Sequence, residues 1–389
     1  MLVSTPPPLH LTYCLNIHPG ESWAENFQAI RDHALRVREA VRPGERFGLG
    51  LRLSHRAAGE LLAAGALADL RAFLDDHDLY AFTINGFPYG PFHGTAVKED
   101  VYRPDWRTTE RRDYTLGLID ILAALLPEGV PGSISTVPGA YKPWIRSDED
   151  VQQMVRILTE AADHAKAVRD RTGRDITIAL EPEPDCFIET TDEAIAFFTE
   201  ALGADDATRR HLSVCLDTAH AAVEFEDPAE ALVKLSAAGV GVGKVQLSAA
   251  LRLAPTEEAL GQLGAFADPV YIHQVRLREP DGTEAAFADL PQALAEAGDR
   301  APDAELRVHF HVPLFFEGAG GLASTGDLLT DGFWRRVAAA DSAPTAHLEI
   351  ETYTFGVLPE RLRLPDVADS IAREYRWVLE RLGRAQAAP

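Results

Sequence analysis

Acidic and amide side chains end several strand-like apolar runs in the second half of this sequence. They are Glu181 at the end of ITIALE, Asp217 at the end of LSVCLD, Gln246 near the end of KVQLS and Glu351 near the end of HLEIE. On neighbouring strands, such side chains can chelate a divalent cation, whose charge compensates for placing several acids in one cleft. Without a cation, some of the acids must be protonated. For any one of them, the alternative is a strand-end residue that caps a loop or helix.

The order of elements along the chain predicts how these runs are arranged. Apolar runs of strand type alternate with segments of helical periodicity, which implies parallel strands joined by right-handed crossovers. Eight such units close most readily into a barrel, so the predicted fold class is α/β, a (β/α)8 TIM barrel that takes up residues 1–389 as a single domain. The strand-like runs lie at residues 9–16, 46–54, 79–86, 132–137, 175–182, 211–217, 241–248, 305–313 and 346–354.

The nine runs exceed the eight strands of a barrel by one. We assign the surplus to an insertion from about residue 249 to 340, between barrel strands seven and eight. This insertion contains the run RVHFHVP and the segment YIHQVRLREPDG, in which Pro280-Asp281-Gly282 predicts the turn of a strand-turn-strand hairpin.

Candidate substrate-binding residues follow from the same fold. Catalytic groups of TIM barrels lie at the C-terminal ends of the strands, and aromatic walls often hold the carbon face of a small ligand. Ordinary loop packing and satisfied structural histidines are the alternatives for such residues. The candidates are Phe87, Tyr89 and His93 of the loop NGFPYGPFHG, and His273 and His311 of the insertion.

Composition argues against several classes of function. The chain has 60 acidic and 37 basic residues, a net charge of -23, so we expect no nucleic-acid partner. No GxGxxG or GxxxxGK[ST] turn follows the first strand, which argues against the main dinucleotide and nucleotide sites. The N-terminal segment lacks a basic stretch followed by a long apolar run, so we expect a cytoplasmic protein that is not inserted in a membrane. The three cysteines lack CxxC spacing and predict buried thiols in a reducing compartment.

Four short segments of the sequence resemble segments of a known protein superfamily. EPEP, CLDTAH, KVQLS and LEIET resemble the metal-site strands of the xylose-isomerase-like sugar isomerase and epimerase superfamily. The resemblance implies a xylose-isomerase-like barrel in which Glu181, Asp217 and Glu351 bind a divalent metal ion. It also implies that His220 faces the substrate.

At strand seven the chain departs from the superfamily, because Gln246 occupies the position of an expected histidine. An amide oxygen weakens affinity for zinc and favours manganese or magnesium, although zinc stays possible. A nitrogen from His273 or His311 could replace the missing one if the insertion folds over the rim. A site without metal is the alternative.

The resemblance implies an isomerase or epimerase, in which a metal ion polarises a carbonyl while Glu181 and Glu351 remove and return a proton. Longer segments, among them TINGFPYGPFHG and LEIETYTFGVLP, resemble the EboE family of metabolite traffic proteins, which implies a metabolite biosynthesis or export pathway. The alternative is a non-catalytic carrier or maturation factor that binds a small-molecule metabolite and works with partner proteins of that pathway. Metal-dependent phosphoester hydrolysis is a third possibility, against which the negative charge argues.

Overall fold

Each of the nine strand-like runs forms a strand in the computed structural model, which describes residues 1–4, 7–63, 65–94, 96–203, 210–296, 300–301, 303–339 and 343–387. The strands of this part of the chain are β1 (Leu2–Ser4), β2 (Leu9–Tyr13), β3 (Phe47–Arg52), β4 (Leu79–Asn85), β5 (Gly132–Thr136), β6 (Ile176–Leu180), β7 (Leu212–Asp217), β8 (Val242–Leu247), β9 (Ala249–Leu253), β10 (Val275–Arg278), β11 (Glu284–Phe287), β12 (Glu305–Val312), β13 (Gly318–Ala319), β14 (Leu322–Ser324) and β15 (His347–Ile350).

Helices lie between most of the barrel strands, as the periodicity predicts. Residues Ile30–Ala34 and Phe197–Ala201 form π-helical turns that extend the first and seventh helices. The α-helices are α1 (Trp23–Ala29), α2 (Leu35–Val41), α3 (His55–Leu62), α4 (Ala66–Asp76), α5 (Thr109–Leu125), α6 (Asp148–Thr172), α7 (Thr191–Ala196), α8 (Thr218–Val223), α9 (Pro228–Ala237), α10 (Glu257–Leu263), α11 (Leu290–Glu296), α12 (Asp331–Val337) and α13 (Val367–Ala387).

Eight parallel strands form the barrel. The sheet order is β1-β2-β15-β8-β7-β6-β5-β4-β3, in which β1 is antiparallel to β2 and the other neighbours are parallel. A parallel bridge between Cys14, directly after β2, and Gly50, within β3, completes the ring. The strands are buried almost throughout, because helices cover their outer face and opposite strands cover their inner face. The predicted fold class is confirmed.

The barrel interior contains a buried ion pair. Because side chains alternate along a strand, His347 and Glu349 of β15 point inward. The Lys244 ammonium of β8 donates to the Glu349 carboxylate, and neither side chain has exposed surface. Burial disfavours the charge of Lys244, but Glu349 outweighs this effect and raises the pKa of Lys244 above its ordinary value. The two side chains therefore fix each other inside the barrel.

The insertion forms a second sheet at the carboxyl end of the barrel. Its strand order is β11-β10-β12-β9-β14-β13, and all neighbours are antiparallel. β10 and β11 pair from Val275–Phe287 to Arg278–Glu284 around a turn with Gly282 at φ +87°, which confirms the predicted hairpin. Helix α8, which directly follows β7, packs on β9 and β12. The predicted insertion between strands seven and eight thus covers the mouth of the barrel.

A buried arginine fastens this second sheet to the barrel. Arg276 of β10 donates through Nη2 to Asp185 Oδ1 at 2.9 Å and to Glu189 Oε1 at 3.0 Å, both in the loop after β6. Its Nε lies 2.9 Å from Glu224 Oε1, just after α8. Since one guanidinium joins three acids from two barrel loops, the insertion has a defined position over the rim.

The cysteines agree with the sequence analysis. Cys14, Cys186 and Cys215 are buried and free, as predicted. In the described ranges, none of the helices combines the length and apolar character needed to cross a membrane.

The buried ion pair gives a first prediction. A Cβ on Gly50 would overlap the Glu349 carboxylate and approach Thr12 Cγ2 at 2.9 Å. We expect Gly50→Ala to lower the free energy of unfolding by about 1–3 kcal/mol, measured by urea denaturation, because overpacking a fixed core costs this much. The control is Gly59→Ala on the exposed side of α3, where a Cβ meets no atom within 4 Å. The control should be neutral or stabilising by about 0.5–1 kcal/mol. An unchanged urea midpoint for Gly50→Ala would show that Glu349 is not fixed.

Candidate metal centre and substrate pocket

Three acids meet at the carboxyl end of the barrel, beneath the insertion. Glu181 follows β6, Asp217 ends β7 and Glu351 follows β15, and all three are at most 5% exposed. Ligand atoms of Glu181, Asp217 and His220 lie within 4.8 Å of one another, as do those of Asp217, His311 and Glu351. Asp217 belongs to both sets and therefore forms their common centre.

Buried oxygen and nitrogen atoms at this centre lack partners. Asp217 Oδ1 accepts from Ser248 Oγ at 2.6 Å and from two backbone N–H groups of α8 at 2.7 and 2.9 Å. In contrast, Asp217 Oδ2, Glu181 Oε2 and His311 Nε2 are buried without a hydrogen-bond partner in the described structure. Such acceptors are costly to bury. A divalent cation beside Asp217 can satisfy those of one ligand set, because carboxylate oxygens and imidazole nitrogens are common ligands. The residues present therefore fit a divalent metal ion.

Two asparagines that the sequence analysis missed hold Glu351. Asn16 Nδ2 and Asn85 Nδ2 donate to Glu351 Oε1 at 2.7 and 3.0 Å. Asn85 ends β4, and Asn16 follows β2. Both lie at the ends of predicted strands, so the criterion that selected Glu181 and Asp217 could have found them. The two amides fix one oxygen of Glu351 and leave Oε2 for a ligand.

A nitrogen donor reaches the centre from the insertion. His311 of β12 has its ligand atom within 4.8 Å of those of Asp217 and Glu351. Gln246, predicted as a ligand, is buried at the end of β8 and lies beside Asp217 in the strand register. Neither polar atom of its amide has a hydrogen-bond partner in the described structure, so ligation by Gln246 stays a prediction.

The electrostatics of the site favour proton uptake when no cation is present. Burial and then neighbouring acids raise the pKa of Glu181 and Glu351 well above its ordinary value. Burial also raises the pKa of Glu183 to about 8. Although burial disfavours its charge, Asp217 has a pKa below its ordinary value because neighbouring histidines and hydrogen-bond donors stabilise the carboxylate. Cation binding must therefore release protons from the glutamates.

Glu181, Glu183 and Glu351 line a cavity with about 530 Å³ of empty space, which includes the open solvent at its mouth. Phe92, Tyr271 and Tyr353 cover it with ring centroids 5.1–5.2 Å apart. These rings come from the loop after β4, from the insertion and from the turn after β15. An apolar cover of this kind keeps water away from a bound ligand.

The predicted substrate-binding residues lie in different parts of the structure, and only some of them line the cavity. Phe87 and His220 line the cavity. Tyr89 is outside its lining and stacks on His55, with ring centroids 4.6 Å apart. His311 lies deeper, beside the acids.

His93 and His273 contact other protein groups. Nε2 of His93 donates to Asn16 O at 2.6 Å, and its Nδ1 accepts from Tyr271 OH at 2.7 Å. His93 therefore supports the cavity wall from behind. Nδ1 of His273 donates to His309 O at 2.8 Å, and its Nε2 contacts the Asp268 carboxylate. The structure does not bring His273 to the cavity or to the acids.

Glu183 also lines the cavity, although the sequence analysis selected only the first glutamate of EPEP. Tyr102 OH donates to Glu183 Oε1 at 2.9 Å. Glu183 lies three residues after the end of β6. A search that extended three residues past each predicted strand would have included it.

Glu183 gives a pH-dependent prediction. Its folded-state pKa of about 8 exceeds its ordinary value of 4.5, so between these pH values the folded state retains a proton that the unfolded state has lost. The contribution of Glu183 to the free energy of unfolding therefore falls as the pH rises from 4.5 to about 8, by at most about 1.4 kcal/mol per pH unit. We expect metal-free Glu183→Gln to gain stability relative to wild type from pH 6 to pH 8, measured by urea unfolding in EDTA. A difference independent of pH would contradict a buried, protonated Glu183.

Asp217 gives a prediction about metal content. Asp217→Ala removes the oxygen common to both ligand sets, so bound manganese after equilibrium dialysis and elemental analysis should fall at least about tenfold. Glu374→Gln is the matched control, since Glu374 is a buried acid that accepts from Leu314 N and Thr352 Oγ1 and belongs to neither ligand set. Its metal content should equal that of wild type. Equal content in both variants would place the metal elsewhere.

Comparisons with known proteins agree with this fold. Three solved structures are similar to this chain in fold, at low sequence identity. The structure of "L-ribulose 3-epimerase" has a TM-score of 0.54 at 15% identity, with 97% of this chain and 96% of that chain covered. A "D-tagatose 3-epimerase-like protein" has a TM-score of 0.52 at 13% identity, with 97% and 100% covered. The IOLI protein, whose structure holds a zinc atom, has a TM-score of 0.50 at 13% identity, with 98% and 100% covered.

Sequence comparison gives a more specific assignment. No curated protein matches the chain in sequence. A family model described as "Xylose isomerase-like TIM barrel" matches residues 47–252, which is more than half of the chain and includes Glu181, Asp217 and Gln246. The chain therefore belongs to the xylose isomerase-like TIM barrel family.

Proposed function

We propose that this protein is a metal-dependent isomerase or epimerase of a small hydroxylated metabolite. The observation that carries the proposal is that Glu181 and Glu351, both buried, face one cavity beside Asp217. The fold shared with proteins named as sugar epimerases agrees with it. A divalent cation held by Glu181, Asp217 and Glu351 would polarise a substrate carbonyl. His220 and His311 each offer a ring nitrogen close to Asp217.

Two acids on different sides of the cavity can invert a carbon centre. Glu181 and Glu351 come from β6 and β15, which are separated by β7 and β8 around the ring. One ionised carboxylate removes a proton from the carbon next to the carbonyl, and the other acid returns a proton to the opposite face. Burial and neighbouring acids raise the pKa of both carboxyl groups, which favours proton uptake by the acid that must return the proton.

The surrounding residues position these acids and shield the reaction. Asn16 and Asn85 hold Glu351 Oε1, so its carboxylate has one orientation toward the cavity. The cover of Phe92, Tyr271 and Tyr353 excludes water, which would otherwise compete as a proton source.

The charge of the cavity favours an unphosphorylated substrate. Among the described lining residues, Lys98 is the one with a permanently cationic side chain. Its Nζ donates to Asp289 Oδ2 and to Tyr271 O, both at 2.7 Å, and so is already engaged. Phosphate recognition normally requires a free arginine, lysine or cluster of N–H donors. A neutral ketose or hydroxyketone fits these groups better.

The carrier is the second candidate. It is supported by the resemblance of long segments to the EboE family of metabolite traffic proteins and by Gln246 in place of a histidine on strand seven. In this case the cavity would hold a metabolite of a biosynthesis or export pathway for transfer to partner proteins. Fold does not decide between the two functions, so the test must examine the acids themselves.

Solvent deuterium exchange tests the catalytic proposal. Manganese-loaded protein should incorporate deuterium from D2O into members of a panel of unphosphorylated ketoses and hydroxyketones, followed by NMR. Glu181→Gln and Glu351→Gln should each lower the exchange rate by about 10²–10⁴-fold, since each removes an acid-base group. Phosphorylated analogues should exchange more slowly than their parent sugars.

Glu374→Gln is again the matched control and should exchange at the wild-type rate. Absence of exchange into every panel member by metal-loaded protein would reject the isomerase. If Glu181→Gln and Glu351→Gln also left pathway function in cells unchanged, the carrier would be the better proposal.

A further inference from the structure

A surface groove lies between the turn after β12 and the turn after β15. It holds about 910 Å³ of empty space, which includes open solvent, and it shares no lining residue with the cavity above the acids. Apolar side chains and two arginines line it. We call this surface the arginine groove, and its main residues are Phe315, Phe316, Leu358, Leu362, Arg361 and Arg373.

Hydrogen-bonded turns hold both walls of the arginine groove. On one wall, Phe316 N donates to Pro313 O at 2.7 Å. On the other wall, Leu362 N donates to Pro359 O at 2.8 Å. The backbone that carries the apolar side chains is therefore fixed before anything binds, so docking costs little conformational freedom.

The two arginines of the groove have no acidic partner in the part of the chain that the structure describes. Both Arg361 and Arg373 are exposed. The acids Asp366 and Glu380 of the same segment are paired with other arginines. The Arg373 guanidinium instead lies 4.0 Å from the centroid of the Phe315 ring. Two guanidinium groups thus keep N–H donors for a carboxylate from outside the chain.

The charge around the groove differs from that of the whole chain. Residues 361–384 contain six arginines and four acidic residues, whereas the chain has 37 basic and 60 acidic residues. An acidic partner is therefore repelled by most of the protein and attracted to this surface. Glu317 is the one acid among the described lining residues, and it forms an ion pair with neither arginine.

The exposure of the lining favours a protein segment over a small molecule. Phe315, Phe316 and Leu362 are half-buried, and Glu317 is exposed, so the groove is open to solvent along its length. Small-molecule sites bury most of the surface of their ligand. A second copy of this chain also fits poorly, because two chains that each carry a net charge of -23 repel each other.

We propose that the arginine groove docks an acidic segment of a partner protein, one in which Asp or Glu residues lie next to apolar residues. The apolar side chains of this segment pack on Phe315, Phe316 and Leu358, while its carboxylates accept hydrogen bonds from Arg361 and Arg373. Aromatic and arginine side chains are also the ones that most often carry the binding energy of protein interfaces.

The groove and the cavity share one turn of the chain. Leu358 N donates to Thr354 O at 2.9 Å, and Thr354 Oγ1 donates to the backbone oxygen of His311. Tyr353, next to Thr354, is one of the three rings that cover the cavity. A partner in the groove therefore contacts the segment that covers the cavity, whichever of the two candidate functions holds.

Selection from a random peptide library tests the inference. The library is displayed on phage and panned against the full-length protein, and the recovered peptides are synthesised with a fluorescent label. They should combine Asp or Glu with apolar residues and should bind less tightly as the NaCl concentration rises, measured by fluorescence polarisation. Arg361→Glu and Arg373→Glu should each weaken binding at least about tenfold, because each places like charges together.

Arg376→Glu is the matched control. Arg376 is an exposed arginine on the same helix as Arg373, outside the groove lining, so this variant should bind the peptides as wild type does. Circular dichroism checks that all three variants are folded. Recovery of no acidic peptide, or equal binding to wild type, Arg361→Glu and Arg373→Glu, would overturn the inference. A wild-type dimer in sedimentation that Arg373→Glu dissociates would also overturn it, because the occupant would then be a second copy of the chain.

Discussion

The structure depends on how a closed ring of parallel strands gathers acidic groups at one end. Glu181, Asp217 and Glu351 end their strands or follow them directly, so the ring brings them together, and the insertion then removes them from water. The protein satisfies only part of their hydrogen-bonding capacity. Asp217 Oδ1 and Glu351 Oε1 have donors, while Asp217 Oδ2 and Glu181 Oε2 have none in the described structure. The folded chain is thus arranged for a positively charged ligand at this place.

The insertion contributes to the chemistry of this end of the barrel as well as to its shape. β12 brings two imidazoles to the acids, and Tyr271 forms part of the apolar cover. Arg276 fastens the inserted sheet to loops that follow β6 and β7, which are the strands that carry Glu181 and Asp217. The same contacts therefore hold the apolar cover, the nitrogen donors and the acids in position relative to one another. A shift of the inserted sheet would displace ligands and cover together.

Local patterns were sufficient to predict the strands and the acids. Continuous apolar runs define buried parallel strands, and the polar residue at the end of each run is a property of a few neighbouring positions. Asn16 and Asn85 satisfy the same criterion, yet an amide at a strand end has no distinctive chemistry until Glu351 is placed beside it. The position of His311 was beyond local reasoning, because it depends on how an inserted sheet docks on the rim. Tyr89 shows the converse: the loop sequence suggests a cavity wall, whereas tertiary packing turns the ring onto His55.

The place of the last barrel strand sets the order of assembly. β15 lies between β8 and β2 in the ring, although the whole insertion separates it from β8 along the chain. A chain still on the ribosome therefore leaves the edges of β2 and β8 unpaired until residue 350 has been made, and such edges are prone to aggregation. Glu351 is the next residue, so closure of the ring and completion of the acid cluster occur together. Chains that end within the insertion lack both, and a ligand bound by this cluster can stabilise only those that have reached β15.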